Sequence, residues 1–125
     1  MPDPEGASAR VSSAEAPSLD LIFEVLSVRE RRYALYYLRD RPDGVATVEE
    51  VVDHVLALEV DRVDESDGNG EFGRRRSLST TFRHAHLPKL VAVGALEYDG
   101  RSETVRYRRQ PSLDEWLEHA RYKER

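Results

Sequence analysis

The chain contains no cysteine. That absence removes disulfide frameworks, thiolate zinc sites and thiol nucleophiles together, and it suits a reducing compartment. Lysine is nearly missing as well: of 19 basic residues only Lys89 and Lys123 are lysine, and the rest are arginine. No run nears the roughly 18 consecutive apolar residues that span a bilayer, and Met1-Pro2-Asp3-Pro4-Glu5 lacks the basic-then-apolar order of a secretory leader. A cytoplasmic protein without a membrane segment is therefore expected. There is no serine in a nucleophile elbow and no glycine-rich phosphate loop. The paired acids Glu49-Glu50 and Asp114-Glu115 fall in the first turns of expected helices, where the macrodipole favours them, so no catalytic residue and no enzyme activity are expected.

Histidine is equally unpromising for metal. His84 and His86 are two residues apart, about 200° around a helix, and so cannot hold one ion as an i, i+4 pair could. With His54 and His119 elsewhere and no thiolate available, neither a metal site nor a cofactor is expected. His86, beside Leu87-Pro88, reads instead as a partly buried residue bonding backbone that the proline frees.

What the chain does have is acid and arginine. Its 24 acidic residues outnumber the basic ones and give a net charge of −5 over 125 residues, room for one domain with tails. A surface rich in Asp and Glu and poor in Lys suits a cytoplasm at molar salt, where the screening length falls to about 3 Å. A GC-rich genome would favour the same arginines.

Residues 1–17, with Pro2, Pro4 and Pro17 among Gly, Ala and Ser, carry no apolar period and are expected to form a disordered tail. Ser18 then caps a short helix whose Leu19, Ile22, Phe23 and Leu26 make one stripe. Ser27 with Glu30 has the capping-box spacing for a second helix, about 28–40, with Ala34, Leu35 and Leu38 inward, that ends at Pro42-Asp43-Gly44. Thr47 and Glu50 repeat the spacing ahead of Val48, Val51, Val52, Val55 and Leu56, a helix of about 48–58. An acidic, glycine-rich loop is expected over 61–73. Arg74 to His86 is helical, with Leu78, Phe82 and Ala85 on one face. Pro88 should kink or restart the helix before Gly94. Residues 95–99 and 103–108 flank Gly100-Arg101-Ser102 as a β-hairpin, and Ser112 with Glu115 caps a last helix. The fold expected is mainly α with a β-hairpin wing, a winged helix-turn-helix over 18–109, followed by a helix at 110–125 that serves packing or dimerisation.

Charge is distributed unevenly along this order. Residues 47–73 hold nine acidic and one basic residue, whereas 74–109 hold nine basic and three acidic. A cationic helix next to a cationic hairpin is what a major-groove helix and a backbone-contacting wing require. The expected DNA-binding residues are Arg74, Arg75, Arg76, Ser79, Thr80 and Arg83 on the recognition helix, about 74–86, and Arg101, Arg106 and Arg108 on the wing, about 95–108. The competing reading is that these arginines neutralise the acidic loop as an ordinary solvated face.

Leu26-Ser27, Arg31-Arg32-Tyr33, Leu35-Tyr36-Tyr37-Leu38 and above all His86-Leu87-Pro88-Lys89-Leu90 followed by Gly94 resemble the small winged helix-turn-helix proteins abundant in haloarchaea, a family taken to be transcriptional regulators. More loosely, residues 22–38 and 87–98 resemble the first helix and the recognition-helix-to-wing passage of ArsR-type repressors. The resemblance covers about 19–108. It implies a winged helix that binds double-stranded DNA. The long acidic insertion departs from the usual three- or four-residue turn. Tyr33, Tyr36 and Tyr37 cannot all point into one core, and with Trp116 and Leu117 they make a candidate homodimer interface. The alternative for them is packing of the last helix on its own first helix. The alternative for the whole protein is a winged-helix protein-interaction module that does not bind DNA.

Overall fold

The computed structural model describes residues 18–62 and 70–124. The expected tail at 1–17 and most of the acidic loop lie outside the described residues.

Helix α1, Leu19–Leu26, starts where expected, with the Leu21 amide donating to Ser18 Oγ at 3.2 Å. Helix α2, Arg29–Asp40, lacks the expected capping box: Val28 stands at its N-cap without a side-chain bond. The reason lies in the preceding helix. Ser27 is the C-cap of α1 in αR geometry and its hydroxyl, turned back on α1, donates to Glu24 O at 2.7 Å, so the N-cap position of α2 falls one residue later, on Val28. Arg31 adds a second side-chain bond to Glu24 O at 3.1 Å, and Arg32 covers a further free carbonyl of α1, Leu26 O, at 2.6 Å.

After α2, Gly44 adopts φ +70°, a left-handed conformation open to glycine at little cost. Its carbonyl accepts from the Tyr107 amide at 2.8 Å. Strand β1, Val45–Thr47, follows and was not expected, because three residues are too few to show a period-two pattern. Helix α3, Val48–Arg62, begins with the expected box: the Glu50 amide donates to Thr47 Oγ1 at 3.1 Å and the Thr47 amide to Glu50 Oε1 at 2.9 Å.

Helix α4, Gly70–Thr81, begins inside the span expected to be loop, and runs through a π-helical turn, Phe82–His86, into α5, Leu87–Ala92. The irregularity expected at Pro88 takes the form of this π-turn, after which the helix restarts as α5 with Pro88 in its first turn. Proline would clash with the carbonyl of residue i−4. One widened turn just before it, with the Leu87 amide donating to Phe82 O, lets the helix carry Pro88 near the start of α5. A Schellman motif ends α5: Gly94, at φ +81°, donates to Val91 O, and Ala95 donates to Leu90 O.

Strands β2, Leu96–Asp99, and β3, Thr104–Tyr107, form the expected hairpin, and β1 joins it to give an antiparallel sheet ordered β1-β3-β2. Ala46 faces Val105 and Tyr98 faces Val105 from the other side. Helix α6, Pro111–Glu124, starts at Pro111 and not at a Ser112 cap; proline's fixed φ and missing donor suit the first helical position. Helices α2 and α3, the π-turn, α5 and the sheet enclose one core in which Leu35, Leu38, Val55, Phe82, Leu90, Val105 and Leu117 are fully buried. The order helix, strand, helix, helix, hairpin is that of a winged helix, an α+β fold. No helix among the described residues is long and apolar enough to cross a membrane.

Candidate nucleic-acid interface

The helix running from Gly70 to Ala92 buries Phe82, His86, Leu87 and Leu90 and turns a continuous outer face to solvent. Arg76, Ser77, Thr80, Thr81, His84, Ala85 and Pro88 are exposed along it, a spacing of 3.6 residues per turn. Arg74, Arg75, Ser79 and Arg83 lie on its flanks, half-buried.

Four of the expected residues converge. Arg75, Arg76, Ser79 and Thr80, together with Glu49 from the first turn of α3, line a concavity of about 230 Å³. Guanidinium and hydroxyl donors of that kind suit a phosphate oxygen. The other expected residues are placed apart. Arg74 faces a second cavity with Glu30 and Glu59. Arg83 lies beside the hairpin turn, and Arg101, Arg106 and Arg108 are exposed on the hairpin itself.

Carboxylates answer most of these arginines. Arg75 pairs with Asp53 and, at 3.6 Å, with Glu49; Arg83 pairs with Glu103 at 3.0 Å. Glu97 sits between Arg106 at 3.7 Å and Arg108 at 3.3 Å. Among the described residues the side chains of Arg76 and Arg101 have no acidic partner. The acids paired with Arg75, Arg83, Arg106 and Arg108 come from α3 and the hairpin. Sequence reasoning missed Glu49, Asp53, Glu97 and Glu103 as partners because the pairing depends on how α3 and the wing pack on α4. It also missed His84, which was legible: four residues after Thr80, it shares the outer face.

His86 does not bond freed backbone. Its Nδ1 accepts from Arg31 Nε at 3.1 Å. Since arginine always donates, Nδ1 is unprotonated and the neutral ring carries its hydrogen on Nε2. Burial, with the Arg31 charge beside it, pushes the His86 pKa below its ordinary value.

The proposed dimer residues are mostly interior to the monomer. Tyr33 and Tyr36 are buried, Leu117 is fully buried, and the Tyr36 hydroxyl donates to Glu124 at 2.6 Å. Tyr37 stacks on His54 at 4.4 Å under the Arg41 guanidinium. Three aromatics within five residues fit because α6 and α3 cover opposite flanks of α2, so the tyrosines are consumed in packing the chain on itself. Trp116 remains 37 % exposed and meets Phe23 edge-on at 5.2 Å. Among the described residues no group of three or more His, Asp or Glu stands together as a metal site.

The model of a family described as a domain of unknown function (DUF7344) matches residues 23–106, from within α1 to the end of the hairpin but short of α6. No curated protein and no solved structure matches the chain.

Proposed function

The chain belongs to the DUF7344 family, whose matched span contains the whole helix-and-hairpin face, and from that face we propose that it is a DNA-binding transcription regulator. The outer face of α4 and the π-turn enters the major groove and the hairpin turn at Arg101 lies against the adjoining backbone. One observation supports this most: Arg75, Arg76, Ser79 and Thr80 gather around a single concavity on the projecting helix. Thr80 and His84, exposed on the outer face, would meet base edges, and Arg76 and Arg101 would meet phosphate.

The internal ion pairs do not oppose this reading as strongly as their number suggests. They are exposed or half-exposed, and such pairs are worth roughly 0–1 kcal/mol each. A phosphate can replace a carboxylate on the same guanidinium at little cost.

A second reading has its own observation. Leu87, Pro88, Val91, Ala92 and Tyr98, with Arg83 at one end, line a mostly apolar groove of about 460 Å³ between α5 and the hairpin, with Val91 and Tyr98 about two-fifths exposed. A protein-interaction module would use that groove. The two readings separate in one experiment: duplex retention by the folded chain, compared with Arg76→Glu, Arg101→Glu and Val91→Glu. DNA binding predicts loss in the two arginine variants with folding intact. Retention equal to that of the unmodified chain in both would remove the assignment.

A further inference from the structure

The flank of α4 turned away from Arg75 and Ser79 borders a separate cavity, with Ser77 and Thr81 at the edge between it and the outer face. At 100° per residue, Arg74, Ser77, Leu78 and Thr81 cluster on one side of the helix, and Arg75, Arg76, Ser79 and Thr80 on the other. The first set, with Glu30 from α2, Leu56 and Glu59 from α3, and His86 from the π-turn, lines a space of about 330 Å³.

Two groups there are built but unused. His86 is 7 % exposed and its Nδ1 is occupied by Arg31, which leaves Nε2–H, still reached by solvent, without a protein partner among the described residues. Glu30 forms no ion pair among the described residues, whereas its neighbour Glu59 is held by Arg29 at 3.5 Å. A free donor and a lone carboxylate lining one concavity beside two hydroxyls suit a ligand that supplies both complements. The widened π-turn that brings His86 here is itself a departure from regular helix of the kind that recurs at functional sites.

We propose that this cavity binds a free α-amino acid. The ligand's ammonium group pairs with Glu30, its carboxylate oxygens accept from His86 Nε2–H and from the Ser77 and Thr81 hydroxyls, and a short apolar side chain lies on Leu56 and Leu78. The volume stands near the lower end of the roughly 300–1,000 Å³ range of ligand sites, which suits an amino acid and leaves little room for a nucleotide. The occupant would stiffen α4 and the π-turn from behind. Only that consequence for DNA rests on the function proposed above; the binding itself does not.

The test is calorimetric titration of the full chain, in the salt at which it is folded, with each of the twenty L-α-amino acids and no DNA present. At least one is expected to bind with Kd below about 1 mM, a threshold for weak specific binding. Its N-acetyl derivative and its decarboxylated amine should each bind at least tenfold more weakly. Glu30→Gln and the cavity-filling Leu78→Trp should do the same, and Thr81→Val offers a conservative change should Leu78→Trp fail to fold. No binding by any of the twenty would overturn the proposal. So would binding unchanged by Glu30→Gln and Thr81→Val, or an amine that binds as well as its amino acid. Because duplex retention is read separately, failure here leaves the DNA reading standing, and the reverse holds.

Discussion

Asp114 offers the most searching test of how the hairpin is held. Its carboxylate accepts from Arg39 Nε and a second Arg39 nitrogen at 2.7 and 3.1 Å, from the Tyr107 hydroxyl at 2.7 Å, and from Arg109 at 3.2 Å. One side chain near the start of α6 thereby ties together α2 and β3. Asp114→Asn keeps the shape and removes the charge. Hydrogen bonds to charged groups contribute about 1.5–3 kcal/mol, and leaving a buried charge unpaired costs about 3–5 kcal/mol. Asp114 and Arg39 are each 18 % exposed at the side chain, and Arg39 keeps Glu118 at 2.9 Å, so the cost must fall below the fully buried case. A loss of about 2 kcal/mol follows, or roughly 8–16 °C in Tm for a domain of this size. Urea denaturation followed by circular dichroism, at fixed salt, measures it. Arg109→Ala, removing a partner that is 64 % exposed, should cost under about 0.5 kcal/mol. If Asp114→Asn falls within that same margin, the carboxylate is a surface ornament and the hairpin is held by apolar packing alone.

Acid titration should expose His86. Its folded pKa is lowered, chiefly by burial, so the neutral form's contribution is complete above the unfolded value of about 6.5 and is lost as pH falls below it. His54, lowered for the same main reason, adds in the same direction, each with a slope of up to about 1.4 kcal/mol per pH unit. Urea midpoints between pH 7.5 and 5 should drop, and less so in His86→Gln; a flat profile would contradict the buried neutral ring. Thr47→Ala should cost about 1 kcal/mol by the same assay, since it opens the capping box of α3. Glu103→Gln frees Arg83 and should tighten duplex binding severalfold in an anisotropy titration; unchanged affinity would place Arg83 outside the interface.

Periodic apolar residues were enough to read the helices of the core, because burial fixes their faces: Val48, Val51, Val52 and Val55 follow one stripe and all are buried. Reciprocal caps were read only where no rival bond existed, as Thr47 and Ser27 show in opposite ways. Strand β1 was hidden because it exists only through its distant partner β3, whereas Pro88 signalled an irregularity without showing that it would be one widened turn. The site was half legible. Arg75, Arg76, Ser79 and Thr80 do meet, yet the carboxylates that neutralise their neighbours come from elements whose packing no local pattern encodes. The tyrosines mislead in isolation, since an aromatic's surroundings are decided by α3 and α6, far along the chain.

The salt dependence of duplex binding bears most directly on the central claim. Anisotropy of a labelled random-sequence duplex, titrated with the full chain from high salt downward, gives the slope of log K against log salt. Arg76 and Arg101 contacting phosphate predict a negative slope near −2 or steeper, at about 0.9 per phosphate, that becomes shallower by about one in Arg76→Ala. A slope near zero, or one identical in that variant, would contradict the winged-helix interface drawn here.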